Sequence, residues 1–280
     1  MIVMNKKAQL YVIVSLIQLI VIGSPSKFIF RSGSHDIPFP AKKYKGGEDA
    51  HGHTLNLLAV ADGVGGWNDQ GIDPALYSRK LVHNVLALSN QNPSLLDNPK
   101  ELLVQSARAN KEKGSSTLVI ATLSPTALLR TSMIGDSGYI ILRMTDNSIS
   151  TVYRSVEQQH SFNYPFQVGH IGDDPMSALE SEHQLEDNDL VILGSDGLFD
   201  NVFDDELINQ LREVGYNNSE RSIAESLASL AFKLSLDKKR SSPFAKQAVE
   251  HGLWFEGGKS DDITVVVGRV FQESQIELQE

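Results

Sequence analysis

The chain has 280 residues, which is enough for one large domain or two small ones, and 41% of them are hydrophobic, enough for a substantial core. Its 35 acidic residues outnumber 25 basic ones and give a formal charge of −10, so the composition does not support a nucleic-acid-binding surface, although it leaves room for a local basic groove. The absence of cysteine excludes disulfides, thiolate zinc sites, iron–sulfur clusters and every mechanism with a cysteine nucleophile.

The N-terminal segment, residues 1–26, has the pattern of a targeting signal or an anchor. Lys6 and Lys7 precede an apolar stretch from Leu10 to Ile22, and no acidic residue occurs before Asp36. The stretch is shorter than the ~20 residues that span a bilayer, and it lacks the arginines of a mitochondrial presequence. We expect a secretory signal or an uncleaved anchor that engages the membrane or the translocation machinery, with a misassigned start codon as the alternative.

Capping residues mark the predicted helices in the rest of the chain. Asp73-Pro74 predicts a helix through about Leu88, and Asn98-Pro99 predicts another that ends near Gly114. Helical spacing and caps predict three more helices, which run from Asp204 to Val214, from Ser219 to Leu236 and from Ser242 to Gly252.

Apolar runs with short connections predict the strands. Four runs, separated by turn residues, are Leu118–Leu123, Leu128–Ile134, Tyr139–Met144 and Ile149–Tyr153. Connections this short predict antiparallel hairpins, and therefore a meander. A last strand from Ile263 to Val270 is expected to return beside the first, before a polar tail from Phe271 to Glu280 that we expect to fray. This order of strands and helices predicts an α+β fold, with antiparallel sheets covered by helices.

Four aspartate motifs lie where apolar strands meet turns. They are Gly47-Glu48-Asp49-Ala50, Asp62-Gly63-Val64-Gly65-Gly66-Trp67, Ser195-Asp196-Gly197 and Lys259-Ser260-Asp261-Asp262-Ile263-Thr264. Any one of them alone is typical of an ordinary turn, because Asp bonds its own backbone and Gly tolerates positive φ. Four aspartates at the ends of buried strands are costly unless they are paired or bound to cations. If two sheets stack face to face, the motifs meet at one edge, so together they predict a metal-binding carboxylate cluster.

The motifs and their order resemble the metal-dependent protein serine/threonine phosphatases of the type 2C (PPM) family. The resemblance runs from about Ser34 to Val270 and includes Gly135-Asp136-Ser137-Gly138, Pro165-Phe166-Gln167 and Ser242-Pro243-Phe244-Ala245. The Asp62–Trp67 motif is similar to that of a subgroup whose best-known members are mitochondrial, whereas the apolar N-terminus favours a secretory or membrane-anchored protein. The resemblance implies a four-layer α-β-β-α sandwich of two antiparallel sheets flanked by helix pairs, with residues 27–280 as the phosphatase domain.

The resemblance also implies a centre of two Mg²⁺ or Mn²⁺ ions. It assigns metal binding to Asp49, Asp62, the Gly63 carbonyl, Asp196 and Asp261, and it assigns catalysis to Asp62 and Asp196 through a metal-bound water. Glu48 would hold metal-bound waters, and Asp136 and Asp200 would either bind a third ion or form hydrogen bonds at a turn and a strand end. The chemistry agrees, because carboxylates and carbonyls are the hard oxygen ligands that Mg²⁺ and Mn²⁺ prefer.

Two positions depart from the family pattern. Val64 stands where many relatives carry a histidine proposed as the general acid, and valine cannot transfer a proton. Many relatives also place an arginine before the first metal aspartate, whereas here Lys43 or Lys45 could contact phosphate as a point charge, or could belong to a solvated basic loop.

These observations predict a monomeric enzyme that hydrolyses phosphoserine and phosphothreonine in phosphorylated proteins. Because of the two departures, a catalytically inactive phosphatase-fold protein that binds or regulates partners is one alternative. The other is a phosphatase of a small phosphorylated metabolite, because the loops that select a substrate carry no readable code.

Overall fold

The computed structural model describes residues 27–273, so the apolar stretch from Leu10 to Ile22 and the tail after Glu273 lie outside the described residues. The strands are β1 (Lys27–Ile37), β2 (Asp49–His53), β3 (Leu57–Asp62), β4 (Ser115–Ser116), β5 (Leu118–Leu123), β6 (Leu128–Ile134), β7 (Gly138–Thr145), β8 (Ser148–Arg154), β9 (Gln159–Ser161), β10 (Tyr164–Pro165), β11 (Val168–Gly169), β12 (Leu179–Gln184), β13 (Leu190–Gly194) and β14 (Ile263–Glu273). The helices are α1 (Pro74–Gln91), α2 (Pro99–Ala109), α3 (Asp196–Phe199), α4 (Asp204–Val214), α5 (Glu220–Ser235) and α6 (Pro243–Glu250).

Helices α1 and α2 begin at the N-cap residues that the sequence predicted. The Asp73 carboxylate accepts a hydrogen bond from the Ala75 N–H at 3.2 Å, and the Asn98 side chain accepts one from the Glu101 N–H at 3.1 Å. Helix α2 ends at Ala109, five residues before the predicted end. It stops there because the Asn110 side chain donates to a carbonyl of α1 at 3.0 Å and accepts the Glu112 N–H at 3.1 Å, which fixes a turn.

Two five-stranded antiparallel sheets form the centre of the fold. Sheet A has the strand order β1-β14-β13-β7-β8, and sheet B has the order β12-β6-β5-β3-β2. The prediction of a single meander is wrong: β5 pairs with β6 and β7 with β8, but β6 and β7 belong to different sheets. The chain crosses between the sheets at residues 135–137, where Gly135 has φ +104° and a Cβ would lie 2.5 Å from the Thr117 methyl group.

The last strand returns beside β1, the first strand that the structure describes, and not beside β3. Strand β14 pairs with β13 and, over its full length, with β1, which the sequence did not predict. Because β13 ends and β14 begins at the same edge of sheet A, the loops that carry Asp196 and Asp261 are neighbours.

The central strands β3, β5 and β13 are buried on both faces, which explains their nearly continuous apolar runs. Successive side chains point to opposite faces of a strand, so Leu58 and Val60 of β3 belong to a cluster between the sheets, while Leu57 and Ala59 belong to a cluster with α1 and α2. Helices α4 and α5 cover sheet A through a third cluster. The prediction of an α+β fold with four α-β-β-α layers is therefore confirmed. Within residues 27–273, no helix has the length and apolar character to cross a membrane.

Candidate metal centre

Two aspartates lie at one edge of sheet B. Asp49 begins β2 and Asp62 ends β3, and the antiparallel register places the two residues directly opposite each other. The N–H of Gly63 donates to the Glu48 carbonyl at 3.2 Å, which extends the pairing by one residue. Gly63 has no room for a side chain, because a Cβ would lie 2.7 Å from that carbonyl oxygen. The sequence Asp-Gly thus permits the close approach that joins the first two motifs.

The other two motifs lie at the ends of strands of sheet A. Asp196 opens α3 directly after β13, and Asp261 lies two residues before β14. Ser195 connects the loops, because its N–H donates to the Thr264 carbonyl at 3.2 Å and its Oγ accepts the Thr264 N–H at 3.1 Å. These bonds hold the two carboxylates of sheet A at the edge that faces Asp62.

The two edges enclose a cavity of about 170 Å³. Five of the predicted ligand positions line it, together with two lysines: they are Asp62, Gly63, Asp136, Asp196, Asp261, Lys42 and Lys259. Asp49 lines a neighbouring cavity of about 390 Å³, which it shares with Asp262. The structure therefore brings the separated motifs together along the seam between the sheets.

Burial and neighbouring carboxylates raise the pKa of Asp49, Asp62 and Asp261, whereas, although burial opposes this, Lys259 holds the pKa of Asp196 below its ordinary value. Burial, and then the charges of Asp49 and Asp196, raise the pKa of Asp62 well above its ordinary value.

Burial and the charge of Asp262 raise the pKa of Asp49 to about 8. Both carboxylate oxygens of Asp49 are buried and make no hydrogen bond of standard geometry with the described residues, although the Ser195 and Thr264 hydroxyls are near enough to moderate the rise of its pKa. Buried acidic groups that are crowded and unpaired in this way are suited to binding a cation.

Two ammonium groups lie among these carboxylates. The Lys42 Nζ contacts Glu48 Oε2 at 2.7 Å and Asp261 Oδ1 at 3.2 Å. The Lys259 Nζ contacts the Asp196 carboxylate, and burial of Lys259 is outweighed by nearby negative charge, which raises the lysine pKa well above its ordinary value. In this arrangement no three acidic or histidine side chains of residues 27–273 surround a common point as metal ligands. The donor set is nevertheless composed of hard oxygens, which suits Mg²⁺ or Mn²⁺.

Glu48 is a fully buried carboxylate next to Asp49. Its Oε1 accepts hydrogen bonds from Lys45 Nζ and from the Asn68 amide, both at 2.7 Å. Its backbone N–H donates to Asp262 Oδ2 at 2.9 Å, which links the start of β2 to the loop before β14. Glu48 is therefore held rigidly beside the predicted ligands, and its side-chain charge is met by lysines.

The two lysines named as phosphate contacts lie differently from each other. Lys43 is exposed and does not line the cavity. Lys45 Nζ binds Glu48, Asn68 and Asp73. Lys42, which sequence reasoning did not select, is the lysine of this loop that faces the cavity. The sequence showed three nearby lysines in this loop, and only the fold shows which of them faces the cavity.

The two residues suggested for a third ion are both buried. Burial and the charge of Asp196 raise the pKa of Asp136, which lies in the crossover between the sheets and lines the cavity. Burial raises the pKa of Asp200 to about 7, although the charge of Lys259 opposes the shift. Asp200 Oδ2 accepts a hydrogen bond from Lys259 Nζ at 2.7 Å. Lys259 is thus a second site residue that the sequence analysis quoted in a motif but did not select.

Val64 forms an apolar part of the cavity wall. It also lines an adjoining groove of about 590 Å³, on whose wall His160 lies. The His160 imidazole stacks on Phe166, with the ring centroids 3.9 Å apart, and its Nε2 lies 2.9 Å from Asp173 Oδ1. The side chain at position 64 has no group that could donate a proton at the cavity.

No protein-family model matches the chain. It is 38% identical over 244 residues to the "Probable protein phosphatase 2C 55" of Arabidopsis thaliana, a match that covers 85% of this chain and 51% of the relative. It is 36% identical to the "Protein phosphatase PTC7 homolog" of Xenopus laevis, with 79% of each protein covered. The chain spans about half the length of the first relative, and most of the second.

Solved structures share the fold. The photosystem II phosphatase PBCP superposes with a TM-score of 0.79 at 32% identity, and the match covers 86% of this chain and 98% of that one. The catalytic domain of the phosphatase PstP, solved with two manganese ions, superposes with a TM-score of 0.62 at 18% identity over 88% of this chain and all of that one, which is a likeness of fold alone. From the similarity to these relatives along most of its length, the chain belongs to the protein phosphatase 2C family.

Proposed function

We propose that this protein hydrolyses phosphoserine and phosphothreonine esters in phosphorylated proteins, and that it does so with two divalent ions, Mg²⁺ or Mn²⁺. One observation carries the proposal: both sheets contribute buried or half-buried, mutually repelling carboxylates to a single cavity at their common edge. The names of the relatives, which are protein phosphatases, support the same reaction class. The two manganese ions of PstP support the choice of metal.

The residues that would hold the ions are Asp49, Asp62, Asp196 and Asp261, with the carbonyl of Gly63. When bound, two such ions lower the pKa of a water and neutralise the phosphoryl oxygens, so that the reaction needs no protein nucleophile. Asp62 lies opposite Asp49 in the register of sheet B, and both would supply the negative charge that retains the ions. Asp196 would extend this charge to sheet A, and it is the second carboxylate that we assign to catalysis.

Other residues would orient the substrate. Lys42 lines the cavity. Its ammonium would attract the phosphate dianion as a point charge, because lysine cannot form the bidentate contact that arginine makes. Glu48 would keep the neighbouring Asp49 in position, because its own carboxylate is held by Lys45 and Asn68. Val64 cannot protonate the leaving alcohol, so that proton would come from water or from another side chain.

We propose residues 27–280 as the catalytic domain and residues 1–26 as a separate targeting or anchoring segment. The similarity to PTC7 homologs supports the subgroup defined by the Asp62–Trp67 motif. The mitochondrial location of its best-known members and the apolar N-terminus point to different destinations, a mitochondrion or a membrane of the secretory route. Fluorescent tagging at the C-terminus, compared with a chain that lacks residues 1–26, would distinguish them.

The experiment that tests the proposal measures phosphate release from a phosphothreonine peptide by the full chain, with Mn²⁺, Mg²⁺ or a chelator. We expect metal-dependent turnover that falls by about 100-fold or more in Asp62→Asn, since loss of one group that stabilises charge in the transition state costs about 10²–10³ in rate. Asp69→Asn is the matched control, because Asp69 is exposed in the same motif region. Near-normal turnover by a folded Asp62→Asn protein would contradict the assignment.

Two other results would replace the proposal with an alternative. Tight binding of the phosphopeptide without release of phosphate, in the presence of metal, would identify a binding or regulatory protein. Faster turnover of small phosphorylated metabolites than of phosphopeptides at matched concentration would identify a metabolite phosphatase.

A further inference from the structure

Lys259 places a buried cation between two aspartates of the site. Its Nζ contacts the Asp196 carboxylate and lies 2.7 Å from Asp200 Oδ2. The ammonium lies 4.9 Å from the centroid of the Phe244 ring, and the side chain is only 15% exposed. A lysine with two carboxylate partners and an aromatic face has its charge well compensated, so this arrangement is stable without a bound ion.

The backbone around Lys259 fixes where the ammonium can lie. The Lys259 N–H donates to Asn201 Oδ1 at 2.9 Å, and the Asn201 amide donates back to the Lys259 carbonyl at 2.8 Å. Gly258 packs so closely against α5 that a Cβ would lie 2.3 Å from the Leu234 carbonyl oxygen. Residue 259 is thus tied to the residue after Asp200 and to the end of α5, and its side chain enters the site from a rigid base.

The carboxylates that Lys259 contacts belong to the set that a third divalent ion would need. That set is Asp136, Asp196 and Asp200. Burial and the charge of Asp196 raise the pKa of Asp136. An ion shared by Asp196 and Asp200 would lie close to the ammonium that binds the same two groups. The ammonium and a divalent ion carry like charges, and both would need the same two carboxylates, so they exclude each other.

We propose that the Lys259 ammonium takes the place of a third divalent ion, so that the centre holds two exchangeable ions and one fixed cation. The inference rests on the two-ion centre proposed above. Its consequence is that Asp196 stays oriented, and Asp200 stays compensated, at every metal concentration.

The test counts the Mn²⁺ ions bound by the full chain, by titration calorimetry and by the electron paramagnetic resonance signal of the remaining free ion. We expect two ions in the wild type and three in Lys259→Met, which has a side chain of similar length without the charge. The double variant Lys259→Met with Asp200→Asn should return to two. Lys246→Met is the control, since Lys246 is exposed on α6, and it should bind two.

A third ion in the wild type, or only two in a folded Lys259→Met protein, would overturn the inference. Should Lys259→Met fail to fold, Asp136→Asn decides the question. The number of bound ions stays at two in Asp136→Asn if Lys259 holds the position, and it falls by one if a metal does. A wild type that binds no Mn²⁺ would instead contradict the metal centre itself, so the two failures are distinguishable.

The melting temperature gives a second readout that does not depend on turnover. Without metal, Lys259→Met should melt below the wild type, because Asp196 and Asp200 lose their compensating charge. Saturating Mn²⁺ should raise the melting temperature of Lys259→Met more than that of the wild type, because the variant binds one ion more. An equal rise in both proteins would contradict the inference.

Discussion

Replacing Lys45 tests whether its ammonium holds the loop before β2 in place. Its sequence position suggested a contact with phosphate, whereas its Nζ binds Glu48 Oε1 at 2.7 Å, Asp73 Oδ1 at 2.9 Å and Asn68 Oδ1 at 3.2 Å. These partners lie at the start of β2, at the cap of α1 and in the turn after Gly65-Gly66. Replacing Lys45 with methionine keeps the length of the side chain and removes the cation that joins the three segments.

The structure sets the size of the expected effect. The loss of a hydrogen bond to a charged group costs about 1.5–3 kcal/mol. Glu48 is fully buried, but it keeps Lys42 and Asn68 as partners, so it is not left uncompensated. We therefore expect the free energy of unfolding of Lys45→Met to fall by about 2–3 kcal/mol, which lowers the melting temperature by about 4–12 °C in a protein of this size.

Thermal and urea unfolding in the presence of chelator would measure this change, with KM for a phosphopeptide measured separately on the metal-loaded protein. Lys43→Met is the control for stability, because Lys43 is exposed in the same loop and its substitution should change stability by no more than about 0.5 kcal/mol. If Lys45→Met melted like the wild type and KM rose tenfold, the ammonium would contact substrate and the structural assignment would be refuted.

Three further predictions concern stability. Trp67→Phe removes the indole N–H that donates to Ser115 Oγ at 2.6 Å, so urea unfolding should show a loss of about 1–2 kcal/mol; an unchanged midpoint would contradict a role for this bond. Arg269→Met breaks a buried guanidinium contact to Glu220 at 2.8 Å and a bond to the Tyr216 carbonyl at 2.6 Å, and the expected loss is about 3–5 kcal/mol. Mn²⁺ at 100 times its dissociation constant should stabilise the chelator-treated protein by about 2.7 kcal/mol for each ion bound, and a melting temperature insensitive to Mn²⁺ would count against the metal centre.

The elements that the sequence predicted well are those fixed by local interactions. Asp73 and Asn98 cap their helices through bonds to residues two and three positions away, so a short sequence window contains the whole cause. The assignment of strands to sheets has no such local cause. Residues 135–137 could close a hairpin or cross to a second sheet, and in the crossover Gly135 packs closely against Thr117 and Phe166, which are distant in sequence. Strand β1 was missed because its Ser and Gly residues weaken the pattern that pairing with β14 stabilises.

The site residues also divide into those that the sequence predicted and those that it did not. The aspartates were predicted because each ends or precedes a buried strand, and strand ends meet at sheet edges. The sequence did not show which of the three nearby lysines faces the cavity. Residues 40–45 form a 3₁₀ turn, in which positions three apart share a face. Lys42 and Lys45 therefore point together at Glu48, and Lys43 points away.

This distribution of lysines also explains which acidic groups lack a compensating cation. Lys42 compensates the acidic groups near the loop before β2, and Lys259 compensates those near α3. The charges that raise the pKa of Asp62 all come from carboxylates, and the oxygens of Asp49 make no hydrogen bond of standard geometry with the described residues. The acidic groups without a compensating cation are thus Asp49 and Asp62, at the seam between the sheets. Divalent ions that bind there would bring together carboxylates from both sheets, so ion binding and the packing of the two sheets would stabilise each other.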